Sequence, residues 1–83
     1  MLLEIYTPDQ KVFEGQVESA TFPGVKGSFQ VLNNHAPLIS TLEKGKVVYK
    51  ENNHIKELTI GGGVVEVLNN KVVLLAESII EEA

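Results

Sequence analysis

Two histidines, eleven carboxylates and seven lysines are the groups in this 83-residue chain that could move a proton, hold a metal or be modified. Chemistry needs such groups to converge. A structural metal takes about four ligands, and acid–base catalysis takes titratable groups placed within reach of one reacting atom. Neither His35 nor His54 stands in a ligand-like spacing with a second histidine, and no cysteine is present to supply a thiolate. His54 adjoins the turn signal Asn52-Asn53, which predicts a solvated side chain. His35 precedes Ala36-Pro37 and has two readings: a loop histidine bonded to neighbouring backbone, or a contact to a partner. Gly61-Gly62-Gly63 has the composition of a phosphate loop, but such loops lead into a helix whose N-terminus meets the anion. Here Val64-Val65-Glu66-Val67-Leu68 follows, a strand pattern, so the glycines predict a bulge, a corner or a close backbone approach. Glu14, Glu18, Glu51 and Glu57 read as a solvated face. With no nucleophile–base set, no metal set and no cofactor motif, the chain reads as a binding or structural module and not as an enzyme.

Bulk properties narrow the class of partner. The length allows one domain, residues 1–83, and a hydrophobic content of 43% suits a folded core. The net charge is −4, and every basic residue is a lysine. Scattered lysines without arginine give neither a phosphate-neutralising patch nor a bidentate fork, so nucleic acid is not an expected partner. The longest apolar run, Val72 to Ala76, falls far short of the roughly 20 residues that cross a bilayer. The first residues, Met1-Leu2-Leu3-Glu4-Ile5, lack the basic and apolar regions of a signal peptide. These features predict a cytosolic protein that reaches a membrane only through partners.

The elements that must position these residues are strands. Leu3 and Ile5 alternate with Glu4 and Tyr6, Ala20 and Phe22 with Ser19 and Thr21, and Leu58 and Ile60 with Glu57 and Thr59. Val47-Val48-Tyr49 and Val72-Val73-Leu74-Leu75 are continuous apolar runs, which suit strands covered on both faces or lying against a partner. Thr7-Pro8-Asp9-Gln10 reads as a type I turn, and Glu43-Lys44-Gly45-Lys46 as a hairpin with glycine at positive φ. Asn52-Asn53 and Asn69-Asn70 predict tight hairpins, since asparagine tolerates the left-handed region. Turn signals every 8–12 residues predict an all-β fold: a small antiparallel β-sandwich, jelly-roll-like, joined by tight hairpins. The last eight residues, 76–83, have helix-forming composition but are too few to hold a helix alone, and Glu77 and Glu81 repel. They predict a short, frayed acidic tail with at most one turn.

The densest backbone specification lies in residues 23–38, which carry Pro23-Gly24, Gly27-Ser28-Phe29 and His35-Ala36-Pro37-Leu38. Together with Leu3-Glu4-Ile5, Thr7-Pro8, residues 12–18, Leu42-Glu43-Lys44-Gly45, residues 62–67 and residues 70–77, they form a collinear set. That set resembles the N-terminal β-sandwich domain of the ATP synthase epsilon subunit along essentially the whole chain. The resemblance implies a non-catalytic rotor subunit of a bacterial F-type ATP synthase. Such a subunit links the gamma subunit to the c-ring and couples proton translocation to ATP synthesis, peripheral at the cytoplasmic face of the inner membrane.

By matching residue to residue, the resemblance implies c-ring contacts at Val25, Lys26, Gly27 and Ser28, and gamma contacts at Thr7, His35, Ala36, Pro37 and Leu38. Pro37 fixes its own φ and holds Ala36 extended, so that loop would be preset for docking. Two positions depart from the family pattern. Ser28 stands where many relatives have an acidic residue, with Lys26 beside it, and Asn34 replaces a glycine before the histidine. The sequence stops at Glu81-Glu82-Ala83, where the family's inhibitory helical hairpin would begin, so a short form without that C-terminal domain is expected. The competing reading is a lipoyl- or biotinyl-type carrier domain modified at Lys71, which follows the Asn69-Asn70 turn.

Overall fold

The computed structural model describes residues 1–80. Ten strands follow in order: β1 (Leu2–Tyr6), β2 (Lys11–Gln16), β3 (Ser19–Gly24), β4 (Gly27–Leu32), β5 (Leu38–Leu42), β6 (Gly45–Glu51), β7 (His54–Ile60), β8 (Gly63–Leu68), β9 (Lys71–Ala76) and β10 (Ile79–Ile80). Hydrogen-bonded neighbours run β10-β7-β6-β3-β5-β8-β9-β1-β2, with β4 on the other side of β3. Between β3 and β5 the ladder narrows to the single pair Gly24 and Leu42. There the sheet folds over into two layers, β10-β7-β6-β3-β4 against β5-β8-β9-β1-β2.

The side-chain period of two sets the core. β3 buries Ala20 and Phe22, β8 buries Val65 and Val67, and β9 buries Val72, Leu74 and Ala76. These meet Leu3 and Ile5 of β1, Val31 of β4, and Val47 and Tyr49 of β6 in one apolar cluster. Phe22, Leu3, Ile5, Ile60 and Leu74 are fully enclosed. Each contributes on the order of 1.5–3 kcal/mol by leaving water. Phe22 stacks at a tilt on Phe29, 5.8 Å between ring centres, so the β3–β4 hairpin is fastened to the core through its own aromatic pair.

The asparagine turns form as their chemistry requires. Asn52 and Asn53 have φ of 52° and 64°, and Asn69 and Asn70 have 51° and 59°. Positive φ at both central residues is the condition for a two-residue turn whose twist matches the flanking strands. The glycine triplet is a corner between β7 and β8. Gly62 and Gly63 have φ of 119° and 156°, and a Cβ on Gly63 would strike the carbonyl oxygen of Leu75. Glycine is required there by both conformation and space.

Four expectations change. First, Gly45 has no left-handed φ and does not turn a hairpin, because β5 pairs with β8 whereas β6 pairs with β7 and β3. Its glycine serves close packing: a Cβ would lie 2.8 Å from the Pro23 Cβ. Second, the sandwich is not wholly antiparallel, since β1 runs parallel to β9 with Leu2 opposite Lys71 and Tyr6 opposite Leu75. Alternation fixes which face a residue occupies but not which strand lies beside it. Third, residues 79–80 are not a frayed tail. Ile79 and Ile80 pair with Ile60 and Thr59 of β7, and Ile79 packs against the core. Burial of an isoleucine pair outweighs the weak helical preference of the surrounding residues. Glu81 and Glu82, the acidic end of the expected tail, lie outside the described residues. Fourth, of the two readings of the continuous apolar runs, cover on both faces by the chain itself does not hold, which leaves contact with a partner. Val48 and Val73 are half-buried, and Leu75 is 54% exposed.

Candidate partner-docking surface

The β3–β4 hairpin presents Val25, Lys26, Gly27 and Ser28 at its exposed tip. Its shape is fixed from the backbone. Gly27 takes φ of 123° in open space, so conformation alone demands glycine there. A Cβ on Gly24 would lie 2.7 Å from the Gly27 carbonyl oxygen and 3.0 Å from the Phe29 ring. Two main-chain bonds tie the hairpin to the neighbouring segment: Val25 N donates to Thr41 O at 3.2 Å, and Glu43 N donates to Pro23 O at 2.9 Å. A groove of about 530 Å³ runs between residues 24–29 of the hairpin and residues 39–41 of β5. Lys26 enters no ion pair among the described residues.

The loop from β4 to β5 is held differently. Asn34 adopts φ of 62°, which accounts for an asparagine where glycine would otherwise serve. Its N–H donates to Asn70 Oδ1 at 2.7 Å. The Asn33 Oδ1 accepts from the Met1 ammonium at 2.6 Å, which also donates to Val17 O at 3.2 Å. His35 N closes the turn on Leu32 O at 3.2 Å. The exposed His35 ring bonds through Nδ1 to Ala36 O at 2.7 Å, with the carbonyl as acceptor and Nδ1–H as donor. The backbone-bonded reading of His35 is thus the local geometry.

The structure brings together Val25, Lys26, Gly27 and Ser28 at one end, and His35, Ala36, Pro37 and Leu38 at the other. Thr7 does not join the second group. It lies past the far end of β1, where its N–H donates to Gln10 O at 2.9 Å and Pro8 lines a hollow with Thr41, Leu42, Val64 and Leu75. Asn70, which anchors Asn34, sits at the opposite end of β1, its carbonyl accepting from Leu2 N at 3.2 Å. A five-residue strand, about 17 Å, separates the two positions.

Between them lies a surface that residue-by-residue matching did not include: the outer face of β5, β8 and β9. Cross-strand register aligns Thr41, Val64, Leu75 and Tyr6 in one row, and Ile39, Glu66, Val73 and Glu4 in the next. Ile39 is 71% exposed, and Val64, Leu68 and Leu75 are exposed as well. The apolar run Val72–Leu75 was the sequence signal for this face; Ile39 had none.

Three polar groups on that face, Glu4, Tyr6 and Lys71, bond to one another. The Tyr6 hydroxyl donates to Glu4 Oε1 at 2.5 Å, and Lys71 Nζ lies 3.4 Å from Glu4 Oε2. The Tyr6 hydrogen bond holds the Glu4 carboxyl below its ordinary value of 4.5, partial desolvation opposes this, and Lys71 reinforces it. The same bond raises the Tyr6 hydroxyl. Lys71 is the first residue of β9, engaged with Glu4 and not at the hairpin tip where a carrier lysine would swing free. Among the described residues no three His, Cys, Asp or Glu side chains are grouped so as to hold a metal.

Comparisons with known proteins identify the family of the fold. The family model described as the ATP synthase, Delta/Epsilon chain, beta-sandwich domain matches residues 1–82. The ATP synthase epsilon chain of Maridesulfovibrio salexigens is 44% identical over 77 residues, which cover 93% of this chain and 54% of that relative. The epsilon chain of Chlorobaculum tepidum is 41% identical over 78 residues, covering 93% of this chain and 89% of the relative. The chain thus spans about half the length of the first relative and most of the second. A chain of the Tetrahymena thermophila mitochondrial ATP synthase central stalk/c-ring superposes with a TM-score of 0.83 at 15% identity, covering 96% of this chain and 65% of that one. One from the Euglena gracilis mitochondrial ATP synthase OSCP/F1/c-ring superposes at 0.87 and 20% identity, covering 94% of this chain and 51% of that one. These two likenesses speak to the fold. The chain belongs to the family of the β-sandwich domain of the ATP synthase delta/epsilon chain.

Proposed function

We propose that this domain is the coupling module of a non-catalytic rotor subunit in an F-type ATP synthase, docked between a gamma subunit and the c-ring at a membrane face. The observation that carries the reading is the match to epsilon chains across 93% of the sequence. The surface supports it too: contact chemistry is spread over two ends and one apolar face, as a docking part needs, and not gathered into a reactive pocket. In this reading Val25, Lys26, Gly27 and Ser28 meet the polar loops of the c-ring. Thr7 and residues 35–38 bracket the gamma surface, and the exposed Ile39, Val64 and Leu75 join its two ends. Lys26 and Ser28 put a cation and a hydroxyl, and no carboxylate, before the ring, so the complementary ring group is an acceptor or an acid.

The test is co-expression of the chain with the gamma subunit from the same source, followed by size-exclusion chromatography. Co-elution at micromolar concentration, with an interface above about 1,000 Å², is expected. Separate elution of two folded proteins overturns the reading.

A further inference from the structure

The strand edges of this sandwich are unequally protected. β2 carries Lys11 and Glu14 as an ion pair, and its register with β1 slips between Ile5 and Tyr6. The free edge of β7 carries His54, Lys56 and Glu57, and its last two residues are covered by β10. Charges, register irregularities and short cover strands are the devices that keep an exposed edge from pairing with another chain. β4 has none of them. Gly27–Leu32 holds no charged residue and no proline, and pairs with β3 in unbroken register from Ser19–Leu32 to Gly24–Gly27. Among the described residues β4 has no second neighbour, so half of its peptide groups point away from β3. β5 repeats the pattern on the opposite layer. Leu38–Leu42 is uncharged, and among the described residues its only pairing on that side is Leu42 with Gly24. The groove between the two is lined by Ser28, Phe29, Ile39 and Ser40, with Lys26 at its hairpin end.

We infer that this side of the sandwich is a strand-addition site: β4 takes up an extended, uncharged segment of the partner protein, whose alternate side chains enter the groove against Phe29 and Ile39. The inference rests on the reading that the domain docks a gamma subunit and adds the mode and the place. Main-chain hydrogen bonds supply the attachment, and along Gly27–Leu32 the neutral edge selects a neutral stretch, since a charged residue there would lose water without gaining a counter-charge; Lys26 stands only at the hairpin end of the groove. The exposed Leu32 at the far end of β4 extends the apolar contact beyond the groove.

Amide hydrogen exchange on the full chain, alone and in the co-expressed complex with gamma, tests this. Amides of β4 should exchange at least tenfold more slowly in the complex, while those of residues 54–58 on β7 keep their free rates. Gln30→Lys places a charge on the β4 edge and should weaken the complex at least tenfold; Gln16→Lys on the β2 edge should not. Unchanged melting temperatures would show that both variants fold. A stable complex with unprotected β4 amides overturns the strand-addition site and leaves the docking reading intact. Failure of gamma to bind removes both. Protection of β4 in the free chain that rises with concentration would make a second copy the occupant and overturn the inference as stated.

Discussion

The hairpin tip at residues 24–28 and the loop at residues 33–37 flank the same strand, yet they are built on different principles. The hairpin is held by main-chain bonds to Thr41 and Glu43 and by glycines whose missing Cβ atoms make room or permit positive φ. The loop is held by side chains, the amides of Asn33 and Asn70. A shape written in the backbone leaves Val25, Lys26 and Ser28 free to vary with the partner. A shape written in side chains does not, because changing Asn33 or Asn70 changes the loop. Ser28 and Lys26 set the chemistry of the tip without cost to its form, whereas Asn34 must hold a left-handed φ of 62°.

The largest effect should come from removing what both regions share. Phe22→Ala empties the core beneath the β3–β4 hairpin and should cost about 3–5 kcal/mol, read as the midpoint of urea denaturation. Hairpin and loop signals should then be lost in one transition; a loop that melts separately would show the two to be independent units. Gly24→Ala is next. Its new methyl group meets backbone at Gly27 and the Phe29 ring, and such overpacking costs about 1–3 kcal/mol. Amide shifts should concentrate at residues 23–29 and 41–43 and spare residues 33–36.

At the loop, two substitutions separate geometry from bonding. Asn70→Gly keeps the positive φ and deletes the amide, so it should cost about 0.5–1.5 kcal/mol and release Asn34 N–H to fast exchange. Asn70→Ala should cost about 1–2 kcal/mol more, from an alanine forced to φ of 59°. Equal melting temperatures for the two would mean that the turn relaxes.

The reliability of the turns explains how much of this molecule could be read from its residues. Asn52-Asn53, Asn69-Asn70 and Asn34 declare a local conformation, and each adopts it. Gly45 declares the same freedom and uses it for something else, close approach to Pro23, a neighbour 22 positions away in the chain. Ile79 and Ile80 become a strand only because β7 lies beside them, and β1 joins β9 in parallel from opposite ends of the sequence. Local chemistry is legible; pairing across the sheet depends on the whole packed core. The proposed contact residues divide on the same line. Residues 25–28 and 35–38 form two compact groups because each is contiguous, while Thr7, grouped with the second by resemblance, sits beside the end that carries the first.

Acid should weaken the two regions unequally. Glu4 binds Tyr6 and Lys71, and Lys71 follows Asn70, so this carboxylate braces the turn that holds the loop. Its folded-state value lies below 4.5, so its contribution is complete above that pH and is lost as pH falls through the lowered value. Between pH 6 and the acid limb, the amide resonance of Asn34 should follow that titration, and Glu4→Gln isolates it. In that variant the acid-dependent shift should vanish, while residues 24–28 behave alike in both proteins. An unchanged acid response in the variant would detach the loop from Glu4.

The smallest effect on stability carries the sharpest functional reading. Lys26 is exposed at the tip and has no ion pair among the described residues, so Lys26→Glu should leave stability within about 0.5 kcal/mol. If backbone alone shapes the hairpin, the variant's tip keeps its amide shifts beyond the substituted residue, and any loss of binding to the c-ring belongs to the charge. Reversal of that charge should weaken association with a detergent-solubilised c-ring from the same source, and raising the salt concentration should narrow the gap between the two proteins, since screening removes the term that distinguishes them. A gap that persists at 0.5 M salt would place the lysine in a desolvated contact and make its side chain part of the fitted shape. The tip would then resemble the loop, with its form shared between backbone and side chain, and the contrast between the two regions would fail at Lys26.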